Sequence, residues 1–165
     1  MFDTIAGLPL HPLVVHATEV VVPTAALVIA LAALWPRFRR WARALPFGLG
    51  LAALVLVPIS TQSGEALQER VRDSSLISTH ADLAEGLLPW IFVLFVVSGV
   101  LLWWNRAGGD GQAPRAPKWV PIVLAAAAVL AAAGTTGQAV LIGHSGATAV
   151  WSQAAVGAGA PGATK

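Results

Sequence analysis

One segment decides how this chain is interpreted: His11-Pro12-Leu13-Val14-Val15-His16-Ala17-Thr18-Glu19-Val20-Val21-Val22-Pro23. It opens a long apolar stretch, and it places two histidines and one carboxylate among aliphatic residues. Ionisable side chains are costly inside a membrane-spanning helix, so they usually face the interior of a helix bundle and a partner there. The segment therefore predicts a transmembrane helix that contributes polar groups to a shared site.

The composition of the whole chain agrees with a membrane location. Hydrophobic residues make up 56% of the 165 residues and charged residues only 11%. Such a balance is wrong for a soluble domain and typical of a multi-span membrane protein. Because the basic residues lie in short loops between apolar stretches, we interpret the high isoelectric point as a topology signal and not as nucleic-acid binding. The chain has no cysteine, so metal chemistry would depend on other side chains.

The apolar stretches predict an all-α fold, a four-helix transmembrane bundle over residues 1–152. We expect spans at about 12–35, 45–63, 80–104 and 120–143, with the third capped near Ser78 or Thr79, and a flexible tail at 153–165. Most basic residues fall in the loops after the first and third spans. The positive-inside rule then places these loops in the cytoplasm and both termini outside, in the cytoplasmic membrane of a bacterium.

The two halves of the chain resemble each other weakly, which favours two repeated helical hairpins. His16-Ala17 in the first half is matched by His80-Ala81 in the second, and Ser63-Gly64 by Ser145-Gly146. Because the two hairpins would enter the membrane in the same direction, a duplication predicts a pseudo-two-fold axis along the membrane normal. Chance similarity remains the alternative.

All four histidines are predicted near the outer ends of the spans, namely His11, His16, His80 and His144. Imidazoles from facing helices can ligate the iron of a non-covalent b-type haem, and the repeat makes His16 and His80 the natural axial pair. A copper or zinc site with His16, His80 and His144 as ligands is the alternative. His11 is a further candidate ligand, although it can equally serve only as a residue at the helix start.

Three other polar residues are predicted to support those ligands, namely Glu19, Gln62 and Gln138. For Glu19, pairing with a neighbouring histidine or glutamine is favoured over proton transfer. The sequence Gly143-His144-Ser145-Gly146 has the form found in intramembrane serine proteases. A short Gly/Ser turn at the membrane edge is the favoured interpretation of it.

Several motifs together resemble a bacterial membrane family catalogued as domain of unknown function 2231. They are the opening Leu10-His11-Pro12-Leu13-Val14-Val15-His16, Thr61-Gln62-Ser63-Gly64-Glu65-Ala66-Leu67, His80-Ala81, and the close from Gly143-His144-Ser145-Gly146 to Trp151. The resemblance covers nearly the whole chain. It implies no settled activity, and many relatives have an apolar residue in place of Glu19. Some relatives are fused to Rieske-type or c-type cytochrome domains, which implies a role near electron transfer.

The leading hypothesis is therefore a membrane subunit that binds haem or a metal and takes part in electron transfer. The alternatives are a structural or assembly subunit without any cofactor and a small transporter subunit. No catalytic reaction can be assigned. The expected partners are the lipid bilayer, a respiratory or redox protein, and a second copy of the chain in a homodimer; no nucleic acid is expected.

Overall fold

The computed structural model describes residues 4, 5, 7–71, 74–107, 117 and 119–158. Apart from a two-residue antiparallel ladder between β1 (Thr4–Ile5) and β2 (Leu8–Pro9), the regular structure in these residues is helical. The helices are α1 (Leu10–Leu34), α2 (Pro36–Ala42), α3 (Leu45–Gln68), α4 (Ser75–Glu85), α5 (Leu87–Ala107) and α6 (Trp119–Ala158). The prediction of an all-α bundle is confirmed.

Four stretches of these helices are long and apolar enough to cross a membrane. They are Leu10–Leu34, Leu45–Gln68, Ser75–Ala107 and Trp119–Ser152, the third of which combines α4 and α5. At 1.5 Å per residue, each exceeds the hydrocarbon thickness of about 30 Å. The predicted four spans are therefore present, and their helices extend beyond the predicted limits at several ends.

The core of the bundle contains many alanines beside larger residues such as Ile29, Ile91 and Leu94, and many large aliphatic side chains lie on its outer surface. Alanines at 25, 26, 32, 53, 128 and 131 are all at most 1% exposed. Large aliphatic side chains such as Leu27, Leu130 and Ile122 are more than 60% exposed. Small residues allow membrane helices to approach closely, while lipid tails solvate leucine and isoleucine as well as a protein core does. The outer surface of the bundle is therefore suited to contact with lipid.

The helix contacts have a two-fold pattern. Helix α1 packs on α3 and α6, and α5 packs on the same two helices, while α1 and α5 also meet. Exchanging α1 with α4–α5, and α3 with α6, maps these contacts onto one another. This is the arrangement expected for two hairpins related by a pseudo-two-fold axis that passes between α1 and α5.

The third span begins earlier than predicted and is interrupted. Ser74, not Ser78 or Thr79, caps α4, because its hydroxyl accepts a hydrogen bond from the backbone N–H of Ile77 at 3.3 Å. Helix α4 ends at Glu85, before Gly86. Pro89 explains this end, since it has no N–H to donate to the carbonyl four residues earlier.

The fourth span is longer than predicted. Helix α6 continues to Ala158, into the segment predicted as a tail, while residues 159–165 lie outside the described residues. The favoured Gly/Ser turn at residues 143–146 is wrong, because these residues lie inside α6. Glycine costs a helix about 1 kcal/mol relative to alanine, and this cost did not outweigh the packing of α6 on α1, α4 and α5.

Candidate functional site

His11 joins the beginning of α1 to the end of α3. Its half-buried ring lies with Nδ1 at 3.1 Å from the carbonyl oxygen of Ser60 and at 3.3 Å from Oγ of Ser63. The same ring rests on Gly64, where an added Cβ would lie 3.0 Å from Cε1 of His11. We call His11, Ser60, Ser63 and Gly64 the first histidine site.

His80 makes the same contacts in the second half of the chain. Its Nδ1 lies 3.1 Å from the carbonyl oxygen of Ile142 and 3.0 Å from Oγ of Ser145. An added Cβ at Gly146 would lie 3.0 Å from Cε1 of His80. His80, Ile142, Ser145 and Gly146 form the second histidine site, which joins α4 to α6. Because α4 begins at Ser75, shortly after α3 ends at Gln68, both sites occupy one end of the bundle.

The hydrogen bonds fix which ring nitrogen carries the proton. A carbonyl oxygen can only accept, so Nδ1 of each neutral ring must be the protonated nitrogen. The hydroxyls of Ser63 and Ser145 each donate to the carbonyl three residues earlier, at 2.9 Å, which leaves their oxygens free to accept from Nδ1. Each Nε2 therefore carries a lone pair, and neither has a hydrogen-bond partner within the described part of the chain.

The other two histidines are placed differently. His16 is exposed, and its Nδ1–H donates to the carbonyl of Pro12 in its own helix. His144 is also exposed, on the surface of α6. Neither ring packs into a neighbouring helix in the way that His11 and His80 do. The structure therefore makes His11, and not His16, the counterpart of His80.

The predicted supporting residues are also dispersed. Glu19 and Gln62 have exposed side chains. Gln138 is partly buried, and its Nε2 donates to the carbonyl of Leu83 at 2.6 Å. That carbonyl lies in the last turn of α4, where the helix end leaves backbone acceptors without intrahelical partners. Gln138 thus stabilises the end of α4 and does not contact either histidine site.

The sequence contains a signal for the alignment of the two halves in which His11 corresponds to His80. His11 precedes Trp35 by the same number of residues as His80 precedes Trp104. Aligning the halves on His16 and His80 instead moves the tryptophans out of register by more than one helical turn. The sequence similarity correctly pairs Ser63-Gly64 with Ser145-Gly146. It does not predict that each serine accepts a hydrogen bond from an imidazole, or that each glycine lies against the same ring.

The short contact between His80 and Ser145 invites comparison with a serine hydrolase. Activation of a serine requires its hydroxyl to donate a proton to the histidine. Here the hydroxyl of Ser145 donates to the carbonyl of Ile142, while His80 is the donor to Ser145. The observed hydrogen bonds therefore run in the direction opposite to that required for nucleophilic attack.

Two further observations concern the polar groups of the described residues. They contain no group of three or more histidine, aspartate or glutamate side chains placed to hold a metal ion. The fully buried polar side chains among them are Ser98 and Thr135, on α5 and α6.

The fold and this site define a class: a small four-helix membrane protein with paired histidines at one end of the bundle. A family model described as "Predicted membrane protein (DUF2231)" matches residues 7–158, and the chain belongs to this family. The resemblance stated from the sequence is thus confirmed. No curated protein and no solved structure gives a significant match.

Proposed function

We propose that this protein is a membrane subunit that binds a b-type haem through Nε2 of His11 and of His80 and takes part in electron transfer. The observation that carries the proposal is the duplicated hydrogen bonding of the two rings. Histidines that ligate metals usually donate Nδ1–H to a protein acceptor, which fixes the tautomer and directs the Nε2 lone pair outward. Both rings satisfy this condition.

The number of equivalent imidazoles favours haem over zinc or copper. Structural zinc sites use four protein ligands and catalytic zinc sites use three, whereas haem iron needs only two axial ligands from the protein. The described residues offer two equivalent imidazoles and no group of three ligating side chains. A haem bound there would supply one-electron transfer, while the serines and glycines of both sites would hold the rings in orientation.

Absorbance and metal analysis of the purified full-length chain test the proposal. We expect a Soret band, present after purification or gained on titration with haemin, that is lost in His11→Ala and in His80→Ala. His16→Ala and His144→Ala are matched controls, because their exposed rings should leave the spectrum unchanged. Absence of haem binding by the wild type, or loss of binding only in the control variants, contradicts the proposal.

The second candidate is a structural or assembly subunit. The interhelical contacts of the two histidine sites support it. Each histidine connects two helices of one hairpin, so each site stabilises the bundle without any ligand. This candidate predicts that His11→Ala and His80→Ala lower the stability of a protein that contains no stoichiometric iron, copper or zinc. Metal analysis of the wild type distinguishes the two candidates.

We further infer that the protein lies in a bacterial cytoplasmic membrane with the histidine end outside. Five of the six described basic residues, at 37, 39, 40, 43 and 106, lie at the opposite end, and Arg70 lies at the histidine end. The described carboxylates, at 19, 65, 69, 82 and 85, lie toward the histidine end. This asymmetry follows the positive-inside rule. Because the chain has no cysteine, Ser75→Cys at the exposed start of α4 and Arg106→Cys provide single labelling sites. A membrane-impermeant maleimide should label the first in intact cells and the second only after lysis.

A further inference from the structure

The basic end of the bundle contains an arginine whose hydrogen bonding is incomplete. Pro36 begins α2 and has no N–H, so it cannot donate to the carbonyl of Ala32 four residues earlier. The guanidinium of Arg39 takes its place, with Nη1 donating to the oxygen of Ala32 at 3.3 Å. This contact draws the side chain of Arg39 back against the end of α1.

The contact leaves a buried donor without an acceptor. Nε of Arg39 is buried and has no hydrogen-bond partner in the described structure. Burial lowers the pKa of the Arg39 guanidinium, and the neighbouring charge of Arg40 lowers it further. Among the described residues, no carboxylate offsets these two effects. A partly buried cation without such a partner is costly, so an anion beside the accessible part of the guanidinium would stabilise the site.

The surroundings of Arg39 place that anion at a membrane surface. Trp35 and Trp41 flank the site on the chain and are 55% and 74% exposed. Both rings contact Phe38, with ring centroids 6.3 Å and 5.7 Å apart. Exposed tryptophans gather at the headgroup level of a bilayer, where their rings are half in lipid and half in water. Helix α2 therefore lies at the depth of lipid phosphates.

We propose that Arg39, with Arg40 beside it, binds the phosphate of an anionic phospholipid in the leaflet at the basic end of the bundle. A guanidinium offers a planar set of N–H donors that fits phosphate oxygens. A phosphate that accepts from the Nη groups of Arg39 neutralises two adjacent like charges. The lipid thereby stabilises the junction between α1 and α2.

Native mass spectrometry of the full-length chain tests this binding. The purified protein is incubated with phosphatidylglycerol, with phosphatidylcholine, or with phosphatidylglycerol plus millimolar inorganic phosphate. We expect phosphatidylglycerol to be retained in preference to phosphatidylcholine. We expect Arg39→Gln to weaken its retention about fivefold, the effect of one basic contact near an anionic leaflet. Arg106→Gln is the matched control, because it removes an exposed arginine from the same end of the bundle.

A second variant separates charge from hydrogen bonding. Arg39→Lys keeps the charge but lacks the planar set of N–H donors, so we expect lipid retention between that of the wild type and that of Arg39→Gln. If Arg39→Gln does not fold, the comparison of the two lipids on the wild type and on Arg39→Lys decides the question. Equal retention of both lipids, an equal loss in Arg106→Gln, or full competition by inorganic phosphate overturns the proposal.

Discussion

The hydrogen bond between His80 and Ser145 should stabilise the bundle by an amount that a double-mutant cycle can measure. The cycle compares His80→Ala, Ser145→Ala and the double variant. Interhelical hydrogen bonds in membrane proteins contribute about 0.6 kcal/mol on average and up to about 1.7 kcal/mol. With Nδ1 to Oγ at 3.0 Å, we expect a coupling free energy of about 0.6–1 kcal/mol.

The first histidine site provides a matched second cycle. His11 and Ser63 are 3.3 Å apart, so their coupling should be present but smaller. Each histidine-to-alanine variant also loses the bond to a backbone carbonyl, and its total destabilisation should reach about 1–3 kcal/mol. His16→Ala is the control, because its ring bonds only to its own helix and should change stability by less than about 0.5 kcal/mol.

Equilibrium unfolding in mixed micelles, with an increasing fraction of SDS and helicity as the signal, gives these free energies. Two couplings of the same sign support equivalent sites in the two halves. Coupling energies within about 0.3 kcal/mol of zero at both sites would refute the reasoning, because that is the scatter expected for independent residues. A coupling free energy in only one half of the chain would refute the equivalence of the two histidine sites.

Two further predictions concern α6. Gly134→Ala should destabilise the bundle by about 1–3 kcal/mol, because the new Cβ would lie 2.4 Å from the ring of Trp90. Gly137→Ala is the control, because a Cβ added there has no atom within 4 Å, and it should be neutral or stabilising in the same unfolding assay. Gln138→Leu should cost about 1–3 kcal/mol, since it leaves the carbonyl of Leu83 without its donor. Faster amide exchange limited to the end of α4 would verify the second prediction, and unchanged exchange there would contradict it.

The sequence predicted the fold well because hydropathy directly encodes membrane insertion. Continuous apolar stretches of span length allow little choice except helices, since unsatisfied backbone groups are not tolerated in lipid. Helix ends were predicted less well. Ser74 caps α4 although Ser78 and Thr79 offered the same chemistry, and α6 passes through Gly143 and Gly146 because tertiary packing outweighs helix propensity.

The sequence indicated where the histidines lie along the bundle but not which of them pack between helices. The concentration of histidines at one end was visible in the sequence, and the structure brings His11 and His80 to that end as equivalents. The choice of His16 over His11 came from aligning the dipeptides His16-Ala17 and His80-Ala81. Which histidine faces a neighbouring helix depends on the rotation of α1 in the bundle, and the apolar pattern of a helix surrounded by lipid specifies that rotation weakly.

The most direct test of the account is the tautomer of each histidine, because both functional candidates depend on Nδ1–H donation at two equivalent sites. ¹⁵N NMR of the full-length chain with labelled histidine distinguishes nitrogens that carry a proton from those that do not, and His→Ala variants assign the signals. At a pH where the rings are neutral, we predict that His11 and His80 are both protonated at Nδ1 and unprotonated at Nε2. A proton on Nε2 of either neutral ring would contradict the hydrogen bonding on which the account rests.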